Sequence, residues 1–441
     1  MLTLEDIMKK KLKLIILSFA LILLVINCGG GGGSSSSTTA TDNKDDNSTP
    51  ENTSITYRIA DTGQKLCFNS TTGASTACTG TGYDADYSGN QPNYTADTAT
   101  VTDNVTGLMW TRSTDLDGDN VYTDAGDKLS FNNAATYCAN LSLGGYSDWR
   151  LPDIKTLYSL ILFTGTDPSS YTGTDTSSLT TFLDPIFTEA FGDMTAGERI
   201  IDAQYASSTE YVYTTMNGND TVFGVNFVDG RIKGYPKTAG ATEKLFYVLC
   251  VRGNTSYGVN NFTDNGDQTI TDTATGLMWQ KNDTTSSNFD DAVSKCESES
   301  TASHTDWRLP NAKELHSITD YSRSPDTTNS PAISSMFNST SFINEAGVTD
   351  WGYFWSSTTH AKDGGSGDAG AYVSFGRALG YMNGNILDVH GAGAQRSNAK
   401  MRENEVGASS AEGVEGTFYY KGPQGDILRI DNMVRCVRDN G

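Results

Sequence analysis

Several sequence blocks occur twice in this chain in the same order, and that repetition constrains the fold more than any other feature. Thr102-Asp103-Asn104-Val105-Thr106-Gly107-Leu108-Met109-Trp110 is matched by Thr271-Asp272-Thr273-Ala274-Thr275-Gly276-Leu277-Met278-Trp279. Asp148-Trp149-Arg150-Leu151-Pro152 is matched by Asp306-Trp307-Arg308-Leu309-Pro310, and Ser207-Ser208-Thr209 by Ser356-Ser357-Thr358. The ends match too, Val248-Leu249-Cys250-Val251-Arg252 against Val434-Arg435-Cys436-Val437-Arg438. The period is far longer than that of a solenoid, so each copy is a whole domain. The boundary falls near Gly253 to Gly258, giving copies at residues 57–253 and 254–441.

Cysteine spacing follows the repeat. Of seven cysteines, Cys138 and Cys296 each precede the Trp of the Asp-Trp-Arg-Leu-Pro block by eleven residues, and Cys250 and Cys436 occupy equivalent terminal segments. From the fifteen pairings that six cysteines allow, the repeat selects Cys138–Cys250 and Cys296–Cys436. Cys67–Cys78 is left as a local loop in copy one. The seventh, Cys28, stands apart.

Cys28 ends a basic-then-apolar start: Lys9, Lys10, Lys11 and Lys13, then Leu14 to Ile26. The apolar run is too short for an ordinary membrane span, so residues 1–27 read as a signal peptide. Cys28 in this position resembles a bacterial lipobox, and acylation there implies a membrane partner through a lipid anchor. Asn27 departs from the small residue usual before that cysteine. Residues 28–56 are Gly, Ser, Thr and Asp rich with almost nothing apolar to bury, as expected of a disordered tether. The expected location is exported and lipid-anchored, at the outer membrane or cell surface, where disulfides persist. The formal net charge is −22, which argues against a nucleic-acid partner, because phosphate binding needs concentrated Lys and Arg.

Local signals predict an α+β fold in each copy. Phe131 to Leu141 reads as a helix carrying Cys138, with Ser130 as its cap. Pro152 and Pro310 suit the first turn of second helices over Asp153 to Leu162 and Asn311 to Ile318. Val222 to Val228, Ala371 to Phe375, Tyr247 to Arg252 and Met433 to Arg438 read as strands. Each copy then has two short helices, short antiparallel strands and a disulfide from first helix to last strand. That staple resembles the C-type-lectin-like fold, in the variant shared with formylglycine-generating enzymes. The Thr-Gly-Leu-Met-Trp, Asp-Trp-Arg-Leu-Pro and Ser-Ser-Thr blocks and the closing Cys-Val-Arg resemble, more specifically, the Lcl C-terminal domain family. This is a family of domains of unknown function named for a collagen-like adhesin. Thr62-Gly63-Gln64 with Cys67 resembles its lead-in, and the segments around His390 and Gly425 resemble a recurring variant. The resemblance implies the fold and cell-surface binding, with no particular ligand.

The most specific chemistry is Asp115-Leu116-Asp117-Gly118-Asp119-Asn120, followed by Asp124. Alternating aspartates in a tight loop supply the oxygens that calcium prefers, and the spacing matches the start of an EF-hand loop. The closing Glu of such a loop is replaced by Gly126, with Asp124 or Asp127 as substitutes. Trp110, Trp149, Trp279 and Trp307 recur in both copies and are expected in the core, with Arg150 and Arg308 in structural hydrogen bonds or ion pairs. Non-repeated residues are the better recognition candidates: Trp355, His360, Tyr372, Arg377, Tyr381, Asn383, His390, Gln395 and Arg396, all in the long second-copy region. Four histidines without metal-ligand spacing and no unpaired thiol argue against an enzyme. The favoured reading is a non-enzymatic surface module, an adhesin for glycan or extracellular matrix. A structural envelope protein and a secreted enzyme are the alternatives.

Overall fold

Each copy is built around a small four-stranded antiparallel sheet whose two inner strands are the repeated blocks. In copy one the order is Val251–Arg252, Met109–Thr111, Thr100–Asp103, Tyr94–Ala96. In copy two it is Val437–Asp439, Leu277–Gln280, Thr269–Asp272, Phe262–Asp264. Val251 sits opposite Trp110 and Val437 opposite Trp279, in the same register. These contacts come from a computed structural model, which describes residues 55–440. The expected signal peptide, the expected lipidation site Cys28 and nearly all of the expected tether lie outside the described residues. Among the described residues no helix is long and apolar enough to cross a membrane.

The second sheet of copy one is the meander Gln204–Thr215, Asn219–Asn226, Arg231–Pro236. Its counterpart is Tyr353–Thr359, Ala369–Ser374, Gln395–Ala399. Where copy one turns directly between its last two strands, copy two inserts the hairpin Leu379–Met382 and Asn385–Asp388. That hairpin joins the later strands Ser409–Gly413, Gly416–Lys421 and Asp426–Leu428 in a separate five-stranded sheet.

The expected helix is present as Phe131–Asn140, and its equivalent as Phe289–Glu297. Ser130 occupies the cap position, but its hydroxyl makes no cap bond. The second helices are shorter than expected, Ile154–Tyr158 and Ala312–Ser317. Both prolines lie outside them, because Asp153 and Asn311 take the cap and accept from Thr156 N and Glu314 N at 2.9 Å each. The terminal segments are not single strands. In copy one Phe246 pairs with Leu129 and Val251 with Trp110, so the chain crosses from one short sheet to another. Cysteine sits at the crossing, where it is tied back to the first helix. Cα–Cα separations are 5.5 Å for Cys138–Cys250, 5.4 Å for Cys296–Cys436 and 5.1 Å for Cys67–Cys78.

The repeated polar residues prove to be scaffold. Asp148 receives Arg252 Nε, and Asp306 receives Arg438 Nε, both at 2.7 Å. Thr209 and Thr358 hydroxyls accept the backbone N–H that opens each second helix, both at 2.9 Å. Trp149 and Trp307 indoles donate to Leu143 O and Thr301 O. All four recurring tryptophans are buried. Arg308 makes a bidentate pair with Glu314, whereas Arg150, facing a threonine at that position, bonds the carbonyls of Gly253 and Asn254.

The two copies do not stand apart. The described residues form one compact unit, and its largest apolar core draws on Trp110, Leu157 and Phe223 from copy one and on Ala312, Ala332 and Ala371 from copy two. Equivalent residues meet at the seam. Lys155 Nζ reaches Ser317 O at 2.7 Å, and its counterpart Lys313 reaches Ser159 O at 2.8 Å. Tyr158 lies 4.5 Å from its counterpart His316, and Tyr57 lies 4.8 Å from Tyr257, between ring centroids. This reciprocity is that of an isologous dimer made within one chain.

Beside this seam the segment before copy one's sheet lies across copy two. Gln64 exchanges hydrogen bonds with the Thr359 backbone. Asp84, fully enclosed, accepts from Thr62 and Thr358 hydroxyls at 2.7 and 2.6 Å. Burial, with Asp61 adding to it, pushes the Asp84 carboxyl up to about 7 against the pull of those hydroxyls. In the unfolded chain such a carboxyl titrates near ~4. Between those values the folded state holds one more proton, so this group's share of stability is complete at low pH and is lost as pH rises through about 7. Asp84→Asn cannot lose that proton. Relative to wild type, its urea-unfolding stability is expected to rise between pH 5 and pH 8, at up to ~1.4 kcal/mol per pH unit below neutrality. A difference independent of pH would refute this.

Candidate functional site

The loop between strand Met109–Thr111 and helix Phe131–Asn140 has a much shorter counterpart in copy two. It folds on its own carboxylates. Asp115 accepts from Gly118 N at 2.7 Å and Asn120 N at 3.2 Å, and Asp119 accepts from Val121 N at 2.7 Å. Asn120 adopts the left-handed conformation, φ 64°, that a turn here requires. Asp124 caps the turn Ala125–Asp127 through Gly126 N at 2.7 Å. Gly126 leaves room for a carboxylate: a Cβ there would stand 2.3 Å from Asp117 Oδ2, and that exposed side chain would have to swing aside. The residue that replaces the EF-hand glutamate thus lets a second carboxylate approach.

Two carboxylate groupings result, sharing Asp117. One oxygen each from Asp115, Asp117 and Asp127 lie within 4.8 Å of one another, and so do oxygens of Asp117, Asp119 and Asp124. Asp127 is the buried member; the others are exposed or half-buried. Burial, then the charges of Asp124, Asp115 and Asp117, push its carboxyl up to about 6 against the Leu116 N–H bond. The aspartate spacing revealed the loop. That Asp127 turns inward was not legible, because burial there depends on the distant elements that cover it.

The same loop walls a cleft of about 350 Å³. Asn120 and Tyr122 come from the loop, Tyr137 from the first helix, Arg112 and Ser113 from the strand end, and Thr188 from a later turn. Arg112 is fixed by bonds to Ile186 O and Asp97 O at 2.9 and 3.0 Å. Hydroxyls, an amide and two phenol rings therefore face one concavity. Apart from the aspartates, no part of this wall stood out in the sequence.

The nine second-copy recognition candidates do not form a binding face. Trp355, His360, Tyr372, His390, Gln395 and Arg396 are buried. Trp355 donates its indole N–H to Ile430 O at 3.0 Å, and Tyr372 stacks on Tyr353 at 4.6 Å. His360 stacks on Phe182 of copy one and bonds Asp229 O at 2.9 Å. Arg377 clamps Asp326 at 2.8 and 2.7 Å, and Tyr381 packs among Phe418 and Tyr420. Asn383, exposed, supplies the left-handed turn of the inserted hairpin, φ 51°. Gln395 bonds the Arg396 carbonyl. His390 and Arg396 both engage Asp426. Being unrepeated does not make them a recognition face: Trp355 and Tyr372 fill copy two's own core, His360 builds the seam, and Tyr381 and Asn383 build the inserted hairpin. At the seam, Asp167, Asp229 and Asp426 face Arg231, Lys233 and Arg396 in a buried, charge-balanced cluster. Desolvation first, then Arg231 and Arg396 respectively, lower His360 and His390 to about 4, so both are neutral within it at neutral pH.

The model of the Lcl C-terminal domain family matches residues 99–252 and again residues 268–389, well over half of the chain. The chain belongs to the Lcl C-terminal domain family. No curated protein and no solved structure matches it. The second Lcl C-terminal match stops just before His390, where the chain leaves the inserted hairpin. The acidic loop lies within the first match, as does every residue lining the cleft except Thr98.

Proposed function

We propose that this chain is a non-enzymatic binding module, exported and anchored by a lipid on Cys28, and that its ligand is a glycan or matrix component bound by the first Lcl C-terminal copy. The cleft beside the acidic loop carries this reading. Two tyrosines, hydroxyl and amide groups, a fixed guanidinium and the aliphatic Leu141, Leu143 and Val248 line it together, a mixture that suits stacking and directed hydrogen bonding to a polyhydroxylated ligand. Six cysteines in three disulfides fit an oxidising compartment. The finer assignment of each copy to the C-type-lectin-like fold rests on the staple from first helix to terminal segment, made in both copies.

A glycan array probed with residues 57–441 tests the reading. Binding is expected, and Tyr122→Ala or Tyr137→Ala is expected to weaken it about tenfold, the loss of ~1.4 kcal/mol of contact. If both variants bind like wild type, the cleft is not the site. If no glycan or matrix component binds, an envelope-assembly role replaces the adhesin reading.

A further inference from the structure

A solvated acidic turn has no need of a carboxylate sealed inside it. Asp127 is fully buried. Its Oδ1 accepts from Leu116 N at 2.8 Å, while Oδ2 is enclosed without a partner. The neighbouring cation is turned away: Lys128 pairs with Glu198 at 2.5 Å and lies over the Tyr247 ring. Grouped with Asp127 instead are Asp115 and Asp117, and Asp117 is shared with a second group that holds Asp119 and Asp124. Burying a carboxylate uncompensated among others of like charge is strongly unfavourable.

We propose that this loop is a calcium site, with Asp127 as its buried anchor, Asp115 and Asp117 as its other protein carboxylates, and Asp119 and Asp124 adding charge at the open side. Calcium takes six to eight oxygens in a flexible arrangement, and water completes a shell that three to five carboxylates begin. Magnesium demands a stricter octahedron and gives up water reluctantly, so a loop of this kind favours the larger ion. Gly126 keeps Asp117 Oδ2 free to approach, and the backbone donors in the loop engage the Oδ1 atoms of Asp117, Asp119, Asp124 and Asp127. Asp115, Leu116, Asn120 and Tyr122 of the same loop wall the cleft. The ion would thus set the shape of the proposed ligand site, a consequence that rests on the cleft reading, whereas the metal site itself does not.

Titration calorimetry of the full exported chain with calcium chloride alone tests the site. About one ion per chain is expected, with binding abolished in Asp127→Asn and weakened about tenfold in Asp119→Asn. Circular dichroism checks that Asp127→Asn folds. If it does not, Asp117→Asn takes its place, and wild-type affinity in that variant overturns the proposal. Absence of both heat and any rise in melting temperature for wild type in millimolar calcium overturns it as well. Magnesium binding as tight as calcium overturns the choice of ion. Glycan binding is measured separately with and without chelator: calcium binding without glycan binding sinks the cleft reading and leaves the metal site standing.

Discussion

Residues 254–441 expressed alone are expected not to form a stable monomer, although they contain a whole copy and its own disulfide. The seam is a core rather than a contact between finished domains. Removing copy one uncovers Ala312, Ala332 and Ala371. It strips Lys313 Nζ of both its acceptors, Asp61 O and Ser159 O, and takes Asp84 and Gln64 away from Thr358 and Thr359. His360 loses both Phe182 and Asp229 O. Water can replace those lost hydrogen bonds, so the cost lies in the apolar seam left exposed, about 25 cal/mol for each Å² of burial lost, set against the ~5–15 kcal/mol that holds a typical domain folded. The full body is expected to melt in one cooperative transition. The isolated half is expected to show none, by circular dichroism and by amide dispersion in NMR. A half-body that melts cooperatively at the same temperature as the whole would show that the seam contributes little.

Arg231→Met is expected to destabilise the body by about 3–5 kcal/mol, the range for breaking a buried ion pair by removing one partner. Arg231 bonds Asp167 at 2.6 Å and approaches Asp229 at 3.5 Å, and all three are largely enclosed. Burial alone would raise the Asp167 carboxyl, but Arg231 and then His360 hold it well below the usual carboxylate range. Its stabilising share is therefore present above the unfolded value near ~4 and is lost as pH falls through the lower folded value. The deficit of Arg231→Met should be widest at pH 7 and narrow at pH 3, where protonation of Asp167 relieves the unpaired charge. Urea unfolding at the two pH values measures this. Replacing both partners, Arg231→Met with Asp167→Leu, is expected to recover much of the loss, because the cost lies in the stranded charge. An equal deficit at both pH values would place the effect in packing.

The sequence by itself determined what recurs. Blocks that match in order must fill the same places, so Trp110 and Trp279 fall in equivalent cores, and one cysteine spacing predicts two long-range disulfides. The helix Phe131–Asn140 was legible from local pattern, and the acidic loop from aspartate spacing. Only the tertiary structure decided what covers what. Trp355, His360 and Tyr372 look like binding residues until copy two's own first helix and sheet cover the first and last and copy one covers His360. Asp127 looks like one more surface acid until its carboxylate is seen sealed beneath the loop. The two copies look like separate beads until Lys155 and Lys313 are each found bonding a carbonyl of the other copy. The reason is physical: propensity, capping and disulfide spacing are written along the chain, whereas burial is a property of whichever distant segment arrives on top.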